Sequence, residues 1–310
     1  MSVPYLTKDD VIAILRDENI IDVEPQINGG QKAVIPVITE NNKYLAKFIE
    51  LPRTAFCTFG DDSENIEDVS LGRLKREIEI LYKSKCENVV KVFSNKLNYI
   101  EYNKHNLYYY TEEFVEGTDV NKLIQDKYSF SIDEIFNFAY CINNAISCLW
   151  ANKVIHRDIK PQNVIYDKNH NRFVLIDPGI AFDLEDISYT QTGQLVGTPI
   201  YMSPEQLHSK KRDLDFRSDH FLLGICLYSM VTRTHPFFIN ARSVPEVQYN
   251  IINTKHRSIS DYDPDFPLGL SRIIDRLLSK EPFKRYRTPN LLNEDLKKVQ
   301  GEYYGSIHTT

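Results

Sequence analysis

Three short motifs, in a set order in the second half of the chain, constrain its fold most strongly. The first, residues 154–164, reads VIHRDIKPQNV. The second, residues 175–179, reads LIDPG and places Asp177 19 residues after Asp158. The third, residues 197–205, reads GTPIYMSPE. A single carboxylate or amide in a loop is usually a turn residue or a helix cap. Three such motifs in this order indicate one chemical site.

Together these motifs resemble the protein kinase family, in its serine/threonine (Hanks-type) branch. The resemblance runs from about residue 20 to residue 299. It implies an α+β, two-lobed protein kinase fold with a small β-rich N-lobe and a larger helical C-lobe. It also implies an enzyme that transfers the γ-phosphate of ATP, with Mg²⁺, to Ser or Thr hydroxyls of protein substrates.

The resemblance assigns roles to the polar residues of the motifs. Phosphoryl transfer needs groups that position the reactants and neutralise charge. Asp158 would orient the attacking hydroxyl and accept its proton, and Lys160 would balance charge on the γ-phosphate. Asn163 and Asp177 would supply the oxygen ligands that Mg²⁺ prefers. Thr198 resembles the threonine that bridges Asp158 and Lys160 in serine/threonine enzymes.

Two charged residues upstream resemble the ion pair of the N-lobe. Lys47, in the apolar run YLAKF, matches the strand lysine that holds the α- and β-phosphates, although a surface lysine in a strand is the alternative. Glu77 resembles the helix glutamate that pairs with this lysine, and Glu79 is a competing candidate. The polar, acidic segment 52–70 is interpreted as an insertion that lengthens the separation between Lys47 and Glu77.

The loop expected to cover the phosphates matches its family pattern poorly. In residues 28–33, NGGQKA, only Gly30 falls on a pattern glycine. Asn-Gly is also a hairpin-turn signal, so a plain turn is the alternative. The position of the loop before Lys47 favours a nucleotide-binding role, and the predicted contacts are Ile27, Gly29, Gly30 and Ile35.

Residues 111–120, TEEFVEGTDV, resemble the linker that binds adenine. Backbone groups of Glu113 and Val115 would contact the base, and Asp119 would bind the ribose. A helix N-cap is an equal alternative for Asp119. In this alignment Glu112 lies beside the adenine pocket, where an apolar residue or Thr is usual, so a register error of one residue is the other interpretation.

The segment between Asp177 and Glu205 corresponds to the activation segment. Pro178 replaces the usual phenylalanine, and because proline restricts φ and lacks an N–H, we expect this segment to change conformation less readily than in relatives. Ser188, Thr190 and Thr192 are candidate autophosphorylation sites, and Arg157 resembles the arginine that pairs with such a phosphate. Their alternative is a plain polar loop.

Two further resemblances are structural. Glu205 is expected to pair with Arg285, and Asp219 to anchor the backbone of the catalytic loop.

Hydrophobic periodicity predicts the elements of this fold. The predicted domains are an N-terminal helical extension (1–19), an N-lobe (20–116), a C-lobe (117–299) and a tail (300–310). The predicted strands are 20–27, 33–39, 44–49, 89–97 and 107–114, and the predicted helices are 7–17, 71–84, 132–151, 221–231, 268–278 and 291–299.

Composition excludes some classes of binding partner and predicts the cellular location. With 43 acidic and 37 basic residues, the net charge of −6 argues against a nucleic-acid or anionic-membrane partner. The longest apolar run, residues 221–231, is shorter than the roughly 20 residues that span a bilayer. Five cysteines without a Cys-x-x-Cys pair, and a start without signal-peptide character, predict a cytoplasmic protein. The N-terminal helix and the acidic insertion are candidate sites for a dimer or partner contact.

Two other functions compete. A pseudokinase scaffold, which binds nucleotide without efficient turnover, is favoured by the degenerate glycine loop and by Pro178. A small-molecule phosphotransferase shares the catalytic Asp, Asn and second Asp. The peptide-docking element at residues 197–205 argues against it.

Overall fold

The computed structural model describes residues 3–16, 19–29, 32–51, 66–177, 200–208 and 214–307. The chain divides into two units. The first comprises Met1–Lys85 and Val90–Val115, and the second comprises Cys86–Val89 and Glu116–Thr310. The first is rich in strands and the second in helices, so the predicted α+β class is confirmed.

The first unit contains an antiparallel sheet whose strands follow the order β1-β3-β4-β6-β5, with β2 also paired to β3. Turn-forming residues 40–42 separate β3 from β4, as the sequence predicts. The strands are β1 (Ile20–Val23), β2 (Ile27–Gly29), β3 (Lys32–Thr39), β4 (Lys43–Glu50), β5 (Asn98–Tyr102) and β6 (His105–Glu113). Helix α2 (Ile66–Lys83) lies between β4 and β5 in the chain.

Helix α1 (Lys8–Leu15) covers one face of this sheet. It begins with a capping box between Thr7 and Asp10, which satisfies N–H groups of the first turn. Its buried residues Val11 and Ile14 pack with apolar side chains from the sheet face. The other members of this cluster are Val3, Leu6, Ala33, Ile35, Val37, Ala46, Phe48 and Leu107. The apolar side of α1 is therefore used within its own unit.

Strand register divides the sheet residues between its two faces. Val34 lies opposite Lys47, and Ile35 lies opposite Ala46. Because side chains alternate along a strand, Ile35 and Ala46 point towards α1, whereas Val34 and Lys47 point to the other face.

Two predicted strands are wrong. Residues 20–27 form β1 and β2 with a break at 24–26, where Glu24 and Gln26 engage Lys43 and Leu6 through their side chains. Residues 89–97 form only isolated bridges at Val89 and Val92. The strand in this region is β5, which pairs with β6 through a hairpin that the sequence analysis missed.

The second unit is built around α4 and α6. Helix α4 begins with a capping box between Ser131 and Glu134, and its inward side is apolar, as predicted. Helix α6 is buried along most of its length and begins at Phe216, five residues before the predicted start, because the Asp215 side chain caps it. The elements are β7 (Thr118–Asp119), α3 (Val120–Gln125), α4 (Ile132–Ala151), β8 (Val164–Asp167), β9 (Arg172–Leu175), α5 (Pro204–Leu207), α6 (Phe216–Thr232), α7 (Val244–Asn253), α8 (Leu268–Leu277) and α9 (Pro289–Ile307).

Strands β7, β8 and β9 form a small antiparallel sheet, and β9 packs against α4. Helix α9 extends to Ile307, well into the predicted tail. Among the helices in the described ranges, none is both long and apolar enough to cross a membrane.

Replacing Ile35 with alanine tests the packing of α1 on the sheet. The side chain is 1% exposed, so its loss leaves a cavity, and we expect the free energy of unfolding to fall by about 2–5 kcal/mol. Urea denaturation measures this change. Ile21→Ala is the matched control, because Ile21 on β1 is 60% exposed and should change stability by less than about 0.5 kcal/mol. Equal effects of the two substitutions would contradict this packing.

Candidate active site

A buried carboxylate holds the backbone of the loop that carries Asp158. Asp219, near the start of α6, accepts hydrogen bonds from the backbone N–H groups of His156 and Arg157, both at 2.8 Å. Arg157 has a φ of 67°, a left-handed conformation that costs energy for a residue with a side chain. The two hydrogen bonds stabilise this conformation, and Asp219 thus has the anchoring contact that its position in the sequence implies.

The carboxylate of Asp158 is oriented by two neighbouring side chains. The Lys160 ammonium lies 2.9 Å from Oδ1 and 2.8 Å from Oδ2. The amide nitrogen of Asn163 donates to Oδ2 at 2.8 Å and to the Asp158 backbone carbonyl at 2.9 Å. Because the Asp158 side chain remains 34% exposed, a substrate group can reach this oriented carboxylate.

Asn163 and Asp177 carry oxygen atoms of the kind that could bind a magnesium ion. Asn163 uses its amide nitrogen in both bonds to Asp158, so its amide oxygen is directed elsewhere. The N–H of Ile176 donates to the Asn163 carbonyl at 2.9 Å, which places Asp177 next to this turn. Asp177 itself has a φ of 56°. One amide oxygen and one carboxylate are hard ligands that suit Mg²⁺.

His156 stabilises the loop that carries Asp158 through a hydrogen bond from the backbone of that loop. Its ring is buried, and Nδ1 accepts the backbone N–H of Asp158 at 3.3 Å. Burial lowers the pKa of His156 to about 4, and attraction by Asp158 and Asp177 only partly offsets this effect. The imidazole is therefore neutral at pH 7, as acceptance of a hydrogen bond at Nδ1 requires.

Glu205 and Arg285 form the predicted ion pair, and both are buried. The two Arg285 terminal nitrogens donate to the two Glu205 oxygens at 2.6 and 3.0 Å. Ser218 adds a hydrogen bond to Glu205 at 2.7 Å. Burial opposes ionisation of Glu205, but these bonds and the attraction of Arg285 outweigh it and hold its pKa below the ordinary value.

Gln206, which the sequence motifs did not single out, links α5 to the catalytic loop. Its amide nitrogen donates to the Arg157 carbonyl at 3.0 Å, and its amide oxygen accepts the Ser203 N–H at 2.9 Å. The Ser-x-x-Gln spacing at Ser203 is a capping-box signature and could have identified this residue.

In the first unit, Lys47 forms a buried ion pair with Glu112. Its ammonium lies 2.8 Å from a Glu112 oxygen, and the two side chains are 4% and 1% exposed. Strand pairing explains the contact, because Lys47 lies opposite Tyr110 and Leu45 lies opposite Glu112, so Lys47 and Glu112 are diagonal neighbours on one face. Glu77 is also buried, on α2.

The other predicted nucleotide contacts in the first unit differ in exposure and in the face of the sheet on which they lie. Ile27 is 61% exposed at the start of β2, and Gly29 pairs with Lys32 at the end of the β2–β3 ladder. Ile35 faces α1, on the side of the sheet opposite Lys47, so its predicted role does not fit the register. Val34 occupies the corresponding place on the Lys47 face.

In the linker, the backbone N–H of Glu113 donates to the Lys91 carbonyl at 2.8 Å, and Val115 is buried. The carboxylate of Asp119 accepts the Lys122 N–H at 2.8 Å, so the alternative role of this residue as a helix N-cap is observed.

Several predictions lie outside the described residues. They concern Gly30 and Thr198, the conformation at Pro178, the candidate phosphorylation sites at 188, 190 and 192, and most of the acidic insertion 52–70.

Comparison with known proteins establishes the family. The model of the protein kinase domain matches residues 60–296, which is more than half of the chain. The chain belongs to the protein kinase family. The match begins after Lys47 and covers every second-unit residue of the candidate active site.

Two of the similar curated proteins are named as bacterial serine/threonine kinases, one of them as a probable one. Serine/threonine-protein kinase PrkC of Bacillus subtilis is 28% identical over 265 residues, which cover 83% of this chain and 38% of PrkC. A probable serine/threonine-protein kinase of Clostridium perfringens is 29% identical over 244 residues, covering 77% of this chain and 33% of that protein. The chain thus spans between a third and two fifths of the length of these relatives.

The Glu205–Arg285 pair predicts a pH-dependent contribution to stability. Since the folded-state pKa of Glu205 is lowered, the contribution is present above the ordinary pKa of 4.5 and is lost as the pH falls towards the folded-state value. We expect Glu205→Gln to lower the free energy of unfolding by about 3–5 kcal/mol at pH 7. The difference from the native chain should shrink below pH 4.5.

Urea denaturation across this pH range measures the difference. Glu302→Gln is the control, because Glu302 is exposed and 3.9 Å from Lys298, and its effect should be small. A Glu205→Gln difference that stays constant down to acid pH would contradict the assignment.

Proposed function

We propose that this chain is a serine/threonine protein kinase that uses ATP and Mg²⁺ to phosphorylate protein hydroxyls. The observation that carries the proposal is the Asp158 carboxylate, which is oriented by Lys160 and Asn163 and open to substrate. An aspartate in this setting can accept a proton from an attacking hydroxyl. Family membership and the named serine/threonine kinases among the relatives support the same function.

The reaction is a displacement at the γ-phosphorus of ATP. The substrate oxygen forms a bond to phosphorus while the bond to the β–γ bridging oxygen breaks, and ADP leaves. Asp158 orients the hydroxyl and takes its proton. Lys160, which is 2.8 Å from Asp158 in this structure, carries the positive charge that balances the transferred phosphoryl group.

Asn163 and Asp177 are the proposed ligands of Mg²⁺, which would neutralise negative charge on the phosphates when bound. Lys47 is the proposed ligand of the α- and β-phosphates. On strand register we assign Val34, in place of Ile35, to the nucleotide-facing side of the sheet. The backbone groups of Glu113 and Val115 remain proposed contacts of the adenine base.

Phosphorylation of the activation segment is part of the proposal. The Nε atom of Arg157 is buried and has no hydrogen-bond partner among the described residues, which suits a site that receives a phosphate. Its loop is already anchored by Asp219 and Gln206. A phosphate at 188, 190 or 192 would therefore meet a pre-positioned guanidinium.

We also propose a cytoplasmic location with protein substrates. In the described part of the chain, Cys86, Cys141, Cys148 and Cys226 are free thiols, which suits a reducing compartment.

Substitution of Asp158 tests the proposed reaction. We expect Asp158→Ala to lower phosphate transfer to a generic protein substrate by about 10²–10⁴-fold, because the proton acceptor is lost. Nucleotide binding should persist, since the proposed phosphate and metal ligands remain. Transfer of labelled phosphate from ATP, with binding measured by calorimetry, separates the two effects.

Asp126→Ala is the control, because Asp126 is exposed at the end of α3. A native chain that binds Mg·ATP but labels no hydroxyl would instead favour a pseudokinase scaffold. Equal activity of the native chain and Asp158→Ala would refute the role of Asp158.

Mass spectrometry tests the proposed autophosphorylation. After incubation with Mg·ATP, we expect phosphate at Ser188, Thr190 or Thr192 in the native chain and none in Asp158→Ala. Arg157→Ala should gain less activity from this incubation than the native chain. An active preparation without phosphate in this segment would contradict the prediction.

A further inference from the structure

The Lys47–Glu112 pair gives Lys47 a partner within its own sheet. The ammonium and carboxylate are 2.8 Å apart, on adjacent strands β4 and β6, and neither is appreciably exposed to solvent. Removing two charges from water is costly unless they pair closely. The low exposure and short distance therefore make this a strong local attraction rather than a weak surface ion pair.

The position of the contact is set by the backbone and not by a flexible loop. Both residues lie inside regular strands whose pairing runs without interruption from Tyr44 to Glu50 on β4. Lys43, on the same face of β4, is bound to Glu24 at 2.5 Å. Lys47 is thus the β4 lysine that neutralises Glu112.

The ion pair with Glu112 affects the proposed binding of phosphate by Lys47. A lysine that binds the α- and β-phosphates must direct N–H groups at phosphate oxygens. A carboxylate at 2.8 Å competes for the same ammonium, and it also adds a negative charge close to the anionic ligand. Glu77, buried on α2, is the carboxylate that the family resemblance already pairs with this lysine.

We propose that Glu112 is a positioning residue that holds the Lys47 ammonium on β6 and competes with the phosphates of ATP for it. The proposal rests on the proposed function, because it assumes that Lys47 binds nucleotide phosphate. Binding of Mg·ATP then draws Lys47 away from Glu112, and the lost ion pair weakens apparent nucleotide affinity. Glu112 sets the KM for ATP without taking part in phosphoryl transfer.

The Glu112→Gln variant tests this competition, because the amide keeps the size of the side chain and removes its charge. Calorimetry with Mg·ATP is expected to show a Kd at least about fivefold lower than in the native chain. Steady-state kinetics should show a lower KM for ATP with kcat changed by less than about twofold, since Asp158 and Lys160 are untouched. An unchanged or higher Kd would overturn the proposal.

Two further variants make the test specific. Glu101→Gln, on an exposed position of β5, removes a charge from the same sheet and should leave Kd unchanged. In a Lys47→Ala background, adding Glu112→Gln should give less than half of the gain in affinity. A full gain in that background would mean that Glu112 acts through space on the phosphates, and would contradict competition for Lys47.

A second variant keeps the test valid if Glu112→Gln is unstable, and nucleotide binding by the native chain shows which proposal has failed. If Glu112→Gln unfolds at assay temperature, Glu112→Asp provides a second test, because it keeps the negative charge but shortens the side chain. We then expect a Kd for Mg·ATP below that of the native chain, by a smaller factor than for Glu112→Gln. A change in Kd in the opposite direction would count against the proposal. A native chain that fails to bind Mg·ATP would refute the proposed function, whereas normal binding with no effect of Glu112→Gln would refute only this inference.

Discussion

The chemistry proposed for this chain depends on one buried carboxylate, that of Asp219. It binds two consecutive backbone N–H groups and thereby holds Arg157 in a left-handed conformation that its side chain disfavours. This conformation places Asp158 in reach of Lys160 and Asn163 and directs the Arg157 carbonyl towards Gln206. Residues 154–160 of the catalytic loop form neither helix nor strand, so their geometry relies on such contacts from α5 and α6.

Buried ion pairs stabilise the parts of each unit that hold the proposed site residues. Glu205 and Arg285 connect the region after the activation segment to the last part of the second unit, and Arg285 also donates to the Arg217, Ser279 and Lys280 carbonyls. Lys47 and Glu112 play a comparable part within the sheet of the first unit. Such pairs are costly to bury and costly to break, so each one restricts the arrangements that its unit can adopt.

The sequence predicted the parts of the structure that rest on local patterns and short motifs. Apolar residues at helical spacing predicted α4, and a continuous apolar run predicted the buried helix α6. The resemblance of the short motifs to the family predicted the Glu205–Arg285 pair. The predicted nucleotide contact at Ile35 does not fit the strand register. One residue of register moves a strand side chain to the opposite face, and the degenerate glycine loop provided no firm reference for the alignment. The partner of Glu112 could not be predicted either, since a diagonal contact between β4 and β6 depends on pairing across more than 60 residues.

A crystal structure with Mg²⁺ and a non-hydrolysable ATP analogue would test the central claim most directly. We expect a metal ion within about 2.0–2.1 Å of the Asn163 amide oxygen and an Asp177 carboxylate oxygen. We also expect the Asp158 carboxylate to face the γ-phosphate and the Lys47 ammonium to contact the α- or β-phosphate. A nucleotide bound without these ligands, or an Asp158 carboxylate directed away from the γ-phosphate, would contradict the account.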